Sequence, residues 1–402
     1  MSPAFFQANR HHLATKLQGG IVVLTAYTAM QRSNDMAAQF EQEANFWWLT
    51  GIEAADWWMI MDGTSGKTWL VSPEVSDVHQ TFDGSLSADD ALKVSAATDT
   101  LSHDEALRML RDLAKRHTIV YTLGEPPHVE YFDFVLNPAP KKLNELLKRT
   151  FRSVQDCRKE LAQLRAVKRP EEIVVMKQVI NLTCEAFKKA KMKLPDMTYE
   201  YEVEAEFTYH FRRHGADGHA YEPIVASGAH ACTLHYGANN DRLKKRQLLL
   251  LDIGARHHGY VADVSRTYAI GEPTKRHRAV HEAVRSAHER IISLLRPGLT
   301  VEEYQRSSDT IMMDALLSLG LVHDINDKDA YRKYFPHAIS HGLGVDAHES
   351  LGGPRIFAAG MVLTVEPGIY IPEENIGVRI EDDILLTETG TLNLSGHLST
   401  DL

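Results

Sequence analysis

Two aspartates sit between runs of apolar residues in one stretch of this sequence, and a fold that buries them there must answer their charge. The stretch is LLLLDIGARHHGYVADVSRTYAI (248–270). Apolar runs flank Arg256-His257-His258-Gly259, which predicts a β-hairpin. With the hairpin centred between His257 and His258, Asp252 falls opposite Asp263. Aspartate is a poor strand former, and two carboxylates facing each other across a sheet repel. A bound cation would turn that repulsion into a ligand pair. The competing reading puts one aspartate at a bulge, turned to solvent.

A second segment, HAISHGLGVDAHE (337–349), spaces His337, His341 and His348 by four and seven residues. On a helix they would share one face. Pro336, Gly342 and Gly344 argue for a loop or strand entry instead. A third segment, VLTVEPGIYIPEENIGVRIEDDILL (362–386), ends an apolar strand at Glu366-Pro367-Gly368. Ile376, Val378 and Ile380 then alternate with Gly377, Arg379 and Glu381, as a strand requires. Asp382 and Asp383 follow, so an exposed ion pair on a solvated edge is the plain alternative there.

Together these segments supply four carboxylates from strands and one or more histidines. An oxygen-rich set of that kind suits two divalent ions of the manganese, cobalt or zinc type better than one zinc held by thiolates. Two ions a few ångströms apart can hold a hydroxide between them and polarise a carbonyl, which is machinery for hydrolysing an amide. The cysteines agree. There are 3 of them, Cys157, Cys184 and Cys232, without regular spacing. They read as free thiols of a reducing compartment.

At 402 residues the chain exceeds one ordinary core, since domains run to roughly 100–200 residues. A formal net charge of −10 excludes clustered positive charge as its main theme, and with it a nucleic-acid or anionic-membrane partner. No stretch approaches the ~18 apolar residues of a membrane span, and the N-terminus lacks the pattern of a signal peptide. The expectation is a cytoplasmic protein.

All 5 tryptophans lie between Trp47 and Trp69. Phe46–Leu49, Trp57–Met61 and Thr68–Val71 read as short strands, with turn signals at Asp62-Gly63 and Ser65-Gly66. Asp104–Arg116 reads as a helix and Thr118–Leu123 as a strand. Near residue 163 the pattern changes. Pro170 with Glu171 and Glu172 opens a helix whose apolar face is Ile173, Met176, Val179 and Ile180. Two domains are expected, 1–163 and 164–402. Within the second, KLPDMTYEYEVE (193–204) resembles RPGLTVEEYQRS (296–307). In each, a helix ends near a proline and a threonine starts the next. Thr300 with Glu303 reads as a capping box, and Gly215 and Gly320 as left-handed helix ends. A duplicated helix-helix-strand unit follows.

The order Asp252, Asp263, His341 in HxxxHxxG, Glu366 in VEPG and Glu381 in RIEDD resembles the creatinase/aminopeptidase P superfamily. The N-terminal segment FEQEANFWWLTG (40–51), after Arg32-Ser33-Asn34-Asp35, is similar to that family's N-terminal domain, with Glu41 where arginine is usual. The resemblance implies a C-terminal pita-bread α/β domain with pseudo-twofold duplication behind a smaller mixed α/β domain. It implies that Asp252 chelates one metal, that Asp263 and Glu381 bridge two, and that His341 and Glu366 complete the second, with manganese expected and cobalt or zinc accepted. It makes Glu366 the proton shuttle. It places His235, in CTLHYG (232–237), beside the substrate, and His337 and His348 against proline and the scissile carbonyl. Tyr370 and Arg379 fall near the proline pocket and the metal carboxylates. The activity implied is an Xaa-Pro aminopeptidase acting on peptides with proline second, in a homo-oligomer (dimer or tetramer), for which the aromatic cluster would suit an interface. An Xaa-Pro dipeptidase shares every ligand, and a non-catalytic scaffold of the same fold is the rival from another class.

Overall fold

The computed structural model describes residues 1–126 and 135–402. The chain divides into two compact units, Met1–Leu164 and Arg165–Leu402. No helix among the described residues is long and apolar enough to cross a membrane.

The first unit is built on a six-stranded sheet. Its strands are β1 (Ile21–Thr25), β4 (Trp58–Asp62), β5 (Lys67–Val71), β6 (Asp99–Leu101), β7 (Ile119–Thr122) and β8 (Ser153–Asp156), in the order β6-β5-β4-β1-β7-β8. A separate small hairpin joins β2 (Gln31–Ser33) to β3 (Met36–Ala37). One sheet face buries Ile21, Val23, Ile60 and Val120 against Leu110 and Leu113 of helix His103–Ala114 and Leu143 and Leu147 of helix Pro138–Thr150.

Phe46–Leu49, expected as a strand, is part of the helix Ala44–Thr50. Glu43 caps it by accepting from the Phe46 amide at 2.7 Å, and Gly51 closes it at φ 71°. A short apolar run buried on all sides has no period to read, and glutamate is not among the usual N-caps. Trp47, Trp48 and Trp57 are buried, so these rings serve the unit's own core rather than a surface.

The second unit runs helix, helix, strands, twice. Helices Pro170–Lys193 and Glu200–Arg213 precede β9 (Gly218–His219), β10 (Ile224–Ser227), β11 (Gln247–Asp252), β12 (Ala255–His257), β13 (Tyr260–Val261) and β14 (Ser265–Ile270). Helices Lys275–Leu294 and Val301–Ser318, with the short Lys328–Tyr334, precede β15 (Val362–Val365), β16 (Gly368–Ile371), β17 (Ile376–Arg379), β18 (Asp382–Thr387) and β19 (Gly390–Asn393). The expected left-handed ends form at Gly215 (φ 81°) and Gly320 (φ 68°). Thr300 accepts from the Glu303 amide at 3.1 Å, which is the half of the capping box that forms. In the first copy the cap is Tyr199 rather than Thr198, because the Glu202 carboxylate takes the amides of both residues.

The hairpin of residues 248–270 forms with a different register. His258 (φ 52°) and Gly259 (φ 79°) occupy the turn, as a two-residue primed turn demands. His257 therefore pairs with Tyr260, and Asp252 pairs with Ser265, not Asp263. Asp263 instead faces Gly254. The shift is by two positions, so it changes partners without changing faces, and the two aspartates remain diagonal neighbours on one side. Gly254 is required there: a Cβ at that position would lie 1.7 Å from the Ala262 carbonyl oxygen.

Candidate metal centre

Asp252 ends β11, and Asp263 lies in the interruption between β13 and β14. The Tyr221 hydroxyl joins them, 2.7 Å from Asp252 Oδ1 and 2.5 Å from Asp263 Oδ1. Glu381 enters from the other half of the unit through a bridge pairing it with Ser265. The Ser265 hydroxyl donates to Glu381 Oε2 at 2.7 Å. Asp252, Asp263 and Glu381 each offer a carboxylate oxygen within 4.8 Å of the others.

His341 and Glu366 complete the cluster. The residues 337–349 form an irregular loop, as their proline and glycines predict. The Gly342–Glu349 backbone bridge closes this loop, with amide-to-carbonyl distances of 3.2 and 2.8 Å. His341 Nδ1 lies 3.0 Å from the Gly342 carbonyl oxygen. That contact requires the proton on Nδ1 and leaves the Nε2 lone pair facing Glu366 Oε1 at 3.4 Å and Asp263 Oδ2 at 3.6 Å. Burial lowers the His341 pKa to about 4, so the ring is neutral. The His348 ring lies 4.3 Å from that of His341, tilted by 56°, and shares a candidate ligating group with it and Asp263.

The electrostatics of the cluster are those of crowded acids. Burial, then the neighbouring Asp252 and Asp383, push the Asp263 carboxyl well above its usual range. Burial and Asp263 do the same to Glu381. Burial and Glu381 do it to Glu366. Crowded carboxylates around a neutral imidazole lone pair form a set of ligand atoms whose charge the Tyr221, Ser265 and Arg379 donors answer only in part. Divalent cations fit this set, because they take oxygen and imidazole nitrogen ligands and remove the repulsion.

Arg379 fixes the wall of the site. Its guanidinium donates to Asp252 Oδ2 at 2.5 Å, to the Tyr370 hydroxyl at 2.7 Å and to Ser265 Oγ at 3.0 Å. The Tyr370 hydroxyl also meets His337 Nε2 at 2.8 Å. Arg379, Glu381, Asp382 and Asp383 are all buried, so the solvated-edge reading of this segment is overturned. Asp382 is paired with Arg266 at 2.7 Å, and Asp383 accepts from the Asp263 amide at 3.3 Å.

A cavity of about 340 Å³ opens on the cluster, lined in part by Tyr221, Glu222, His235, Asp252, Asp263 and His348. His235 is thus beside the centre but outside the ligating groups. Sequence reasoning missed Tyr221, Ser265 and Asp383. None stands in a pattern of its own, and each acts through contacts across the chain.

The sequence also gave no sign of a buried charge clamp behind the histidine loop. Glu349 receives Arg165 at 2.6 Å and Lys168 at 2.8 Å, and its Oε1 also accepts the Val345 amide at 2.9 Å. The packing is tight enough that a Cβ on Gly344 would lie 2.6 Å from the Glu349 carboxylate.

Buried strand carboxylates facing a loop histidine, on a twice-repeated helix-helix-strand frame, define a metal-dependent hydrolase. Residues 175–388 match the model of metallopeptidase family M24, and residues 6–121 match that of the aminopeptidase P N-terminal domain. The chain belongs to metallopeptidase family M24, among the creatinase/aminopeptidase P enzymes, and has their pita-bread fold behind the N-terminal domain. It is 32% identical to the Xaa-Pro aminopeptidase of Escherichia coli, over 98% of this chain and 94% of that one. It is 32% identical to the Xaa-Pro aminopeptidase 3 of Mus musculus, over 95% of this chain and 79% of that one. The solved structure of a putative aminopeptidase P from Bacillus anthracis superimposes with a TM-score of 0.88 at 27% identity, covering 100% of this chain and 96% of that one.

Proposed function

We propose that the protein removes the N-terminal residue from peptides whose second residue is proline. The observation that carries this reading is the donor set itself: three carboxyls raised by burial and by one another, gathered at the Nε2 lone pair of His341. In this reading Asp252, Asp263, His341, Glu366 and Glu381 would hold the divalent ions. Manganese is the resident ion we infer, with cobalt and zinc accepted by the same oxygen-rich donors. Bound ions would supply Lewis acidity at the scissile carbonyl and acidify water.

The chain's own residues do the rest. A carboxylate beside the reacting water can take a proton from it and return it, and Glu366 is assigned that work. It accepts a proton from the attacking water and delivers it to the proline nitrogen, a secondary amine that leaves only when protonated. His348 binds the scissile carbonyl from the loop. His337 and Tyr370, hydrogen-bonded to each other, bound the proline side, where Arg379 fixes the Tyr370 hydroxyl. His235 borders the substrate across the cavity.

The three free cysteines support a reducing, cytoplasmic setting. A dimer or tetramer is the assembly we expect, and sedimentation tests it.

Hydrolysis of Ala-Pro and Ala-Pro-Ala with manganese supplied tests the activity. Alanine released from both, with the tripeptide at least as fast, is the expected result. Cleavage of the dipeptide alone makes the protein a dipeptidase. Cleavage of neither with manganese, cobalt or zinc leaves only the scaffold reading.

A further inference from the structure

The cavity on the metal cluster has an asymmetric lining. His337 and Tyr370, the groups on the proline side of the proposed site, are not among its lining residues, whereas Tyr221, Glu222, Ile224, His235 and Tyr236 are. On the reading above, this is the side that receives the residue to be released. Ile224 and Tyr236 offer apolar surface there, as members of a small core cluster with Leu250 and Tyr370.

Glu222 breaks that apolar surface with a carboxylate. It is exposed, and among the described residues it has no hydrogen bond or ion pair. The other acids of the site are engaged: Asp252 with Tyr221 and Arg379, Asp263 with Tyr221, Glu381 with Ser265, and Glu366 with Thr364 and His341. Glu222 directly follows Tyr221, whose hydroxyl reaches into the carboxylate cluster. Glu222 is exposed while Tyr221 is half-buried with its hydroxyl in the cluster, so Glu222 stands at the rim and not in the cluster. The α-ammonium of a bound peptide is separated from the scissile carbonyl by a single Cα, which keeps it beside Asp252 and Asp263. A side chain on that same residue can reach outward to the rim.

We propose that Glu222 is a specificity-determining residue that favours substrates whose N-terminal residue carries a cationic side chain, arginine or lysine. This rests on the Xaa-Pro aminopeptidase reading and names its substrate class. A solvent-exposed ion pair is a modest effect, screened by salt, so the preference is a matter of several-fold.

The test is kcat/KM for Arg-Pro-Ala, Leu-Pro-Ala and Glu-Pro-Ala with the full-length, metal-loaded protein, its Glu222→Gln variant and its Glu222→Arg variant. The expected result is an arginine-to-glutamate ratio about three- to tenfold lower in Glu222→Gln than in the wild type, with leucine little changed. The ratio should fall further in Glu222→Arg, and the wild-type ratio should shrink as salt is raised. An equal loss for all three peptides in Glu222→Gln would mean that the carboxylate holds the α-ammonium, and would overturn the assignment. An unchanged ratio would overturn it too. Absence of cleavage of every peptide by every form would instead remove the aminopeptidase reading on which it stands.

Discussion

The guanidinium of Arg379 lies 2.5 Å from the carboxylate of Asp252, and both are buried or nearly so. One nitrogen is spent on this contact, a second on Tyr370 and the third on Ser265. A single planar group therefore orients Asp252, Tyr370 and the serine that holds Glu381. Lysine cannot copy a planar fork with three separate donors. Arg379→Lys is expected to weaken metal affinity by about 10- to 100-fold, the usual loss when a partner behind a ligand is removed. Metal titration monitored calorimetrically checks this, and wild-type affinity in the variant would show that the fork orients nothing.

Asp263→Ala should abolish activity and metal binding together, since the residue is assigned to both ions. Without metal the same change removes one of three crowded carboxyls, so the chelated variant should melt no lower than the chelated wild type. Metal content by elemental analysis and paired melting curves read both effects. Retained activity would sink the site assignment.

The metal-free protein should respond to pH in a direction opposite to ordinary carboxylate pairing. Asp263, Glu366 and Glu381 are raised above their usual values by burial and by one another. The folded state therefore holds protons that the unfolded state has released. Their contribution to stability is complete below about pH 4 and is lost as pH rises through the raised values. Chelated protein should be measurably more stable near pH 5 than near pH 8 on this account, while metal binding at neutral pH should release protons. Melting curves at the two pH values and calorimetry in buffers of different ionisation enthalpy check the sign.

Glu349 gives the reverse slope. Burial alone would raise its carboxyl, but Arg165 and Lys168 outweigh burial and hold it at about 2. Its contribution, on the order of 3 kcal/mol, is present above the ordinary carboxyl value of 4.5 and is lost as pH falls toward 2. Glu349→Gln strands two buried cations, a change that costs about 3–5 kcal/mol. It should also displace the loop carrying His341 and His348. Denaturation between pH 3 and 6 should show the wild-type slope and a flatter variant. Wild-type stability in the variant would mean that the clamp holds nothing.

The cluster of carboxylates and histidine was legible in the sequence because aspartate, histidine and glutamate stood where apolar strands and glycine-marked loops gave them no ordinary purpose. The hairpin was legible too, but its centre was not. His257-His258 and His258-Gly259 are both admissible turns until the positive φ of Gly259 and His258 decides between them. Because the difference was two residues, the shared face survived. Glu43 as a helix cap and the short helix after it were hidden by an apolar run without period. Tyr221, Ser265 and the Arg165–Lys168–Glu349 clamp carry no local signal, since each gains its meaning from a partner far along the chain. Asp382 and Asp383 read as surface acids because sequence does not say that Arg266 comes to meet one and the Asp263 amide the other.

That clamp spans 184 residues from Arg165 to Glu349, and Arg379 reaches back 127 residues to Asp252. A ribosome that has delivered the chain only as far as the histidine loop has made Asp252 and Asp263 without Arg379 or Glu381 to set beside them. Early metal capture by such a nascent chain would have only part of the donor set to work with. The completed second half supplies Glu366, Glu381 and the Arg379 that fixes Asp252, so the donor set of the proposed site exists only in the finished protein.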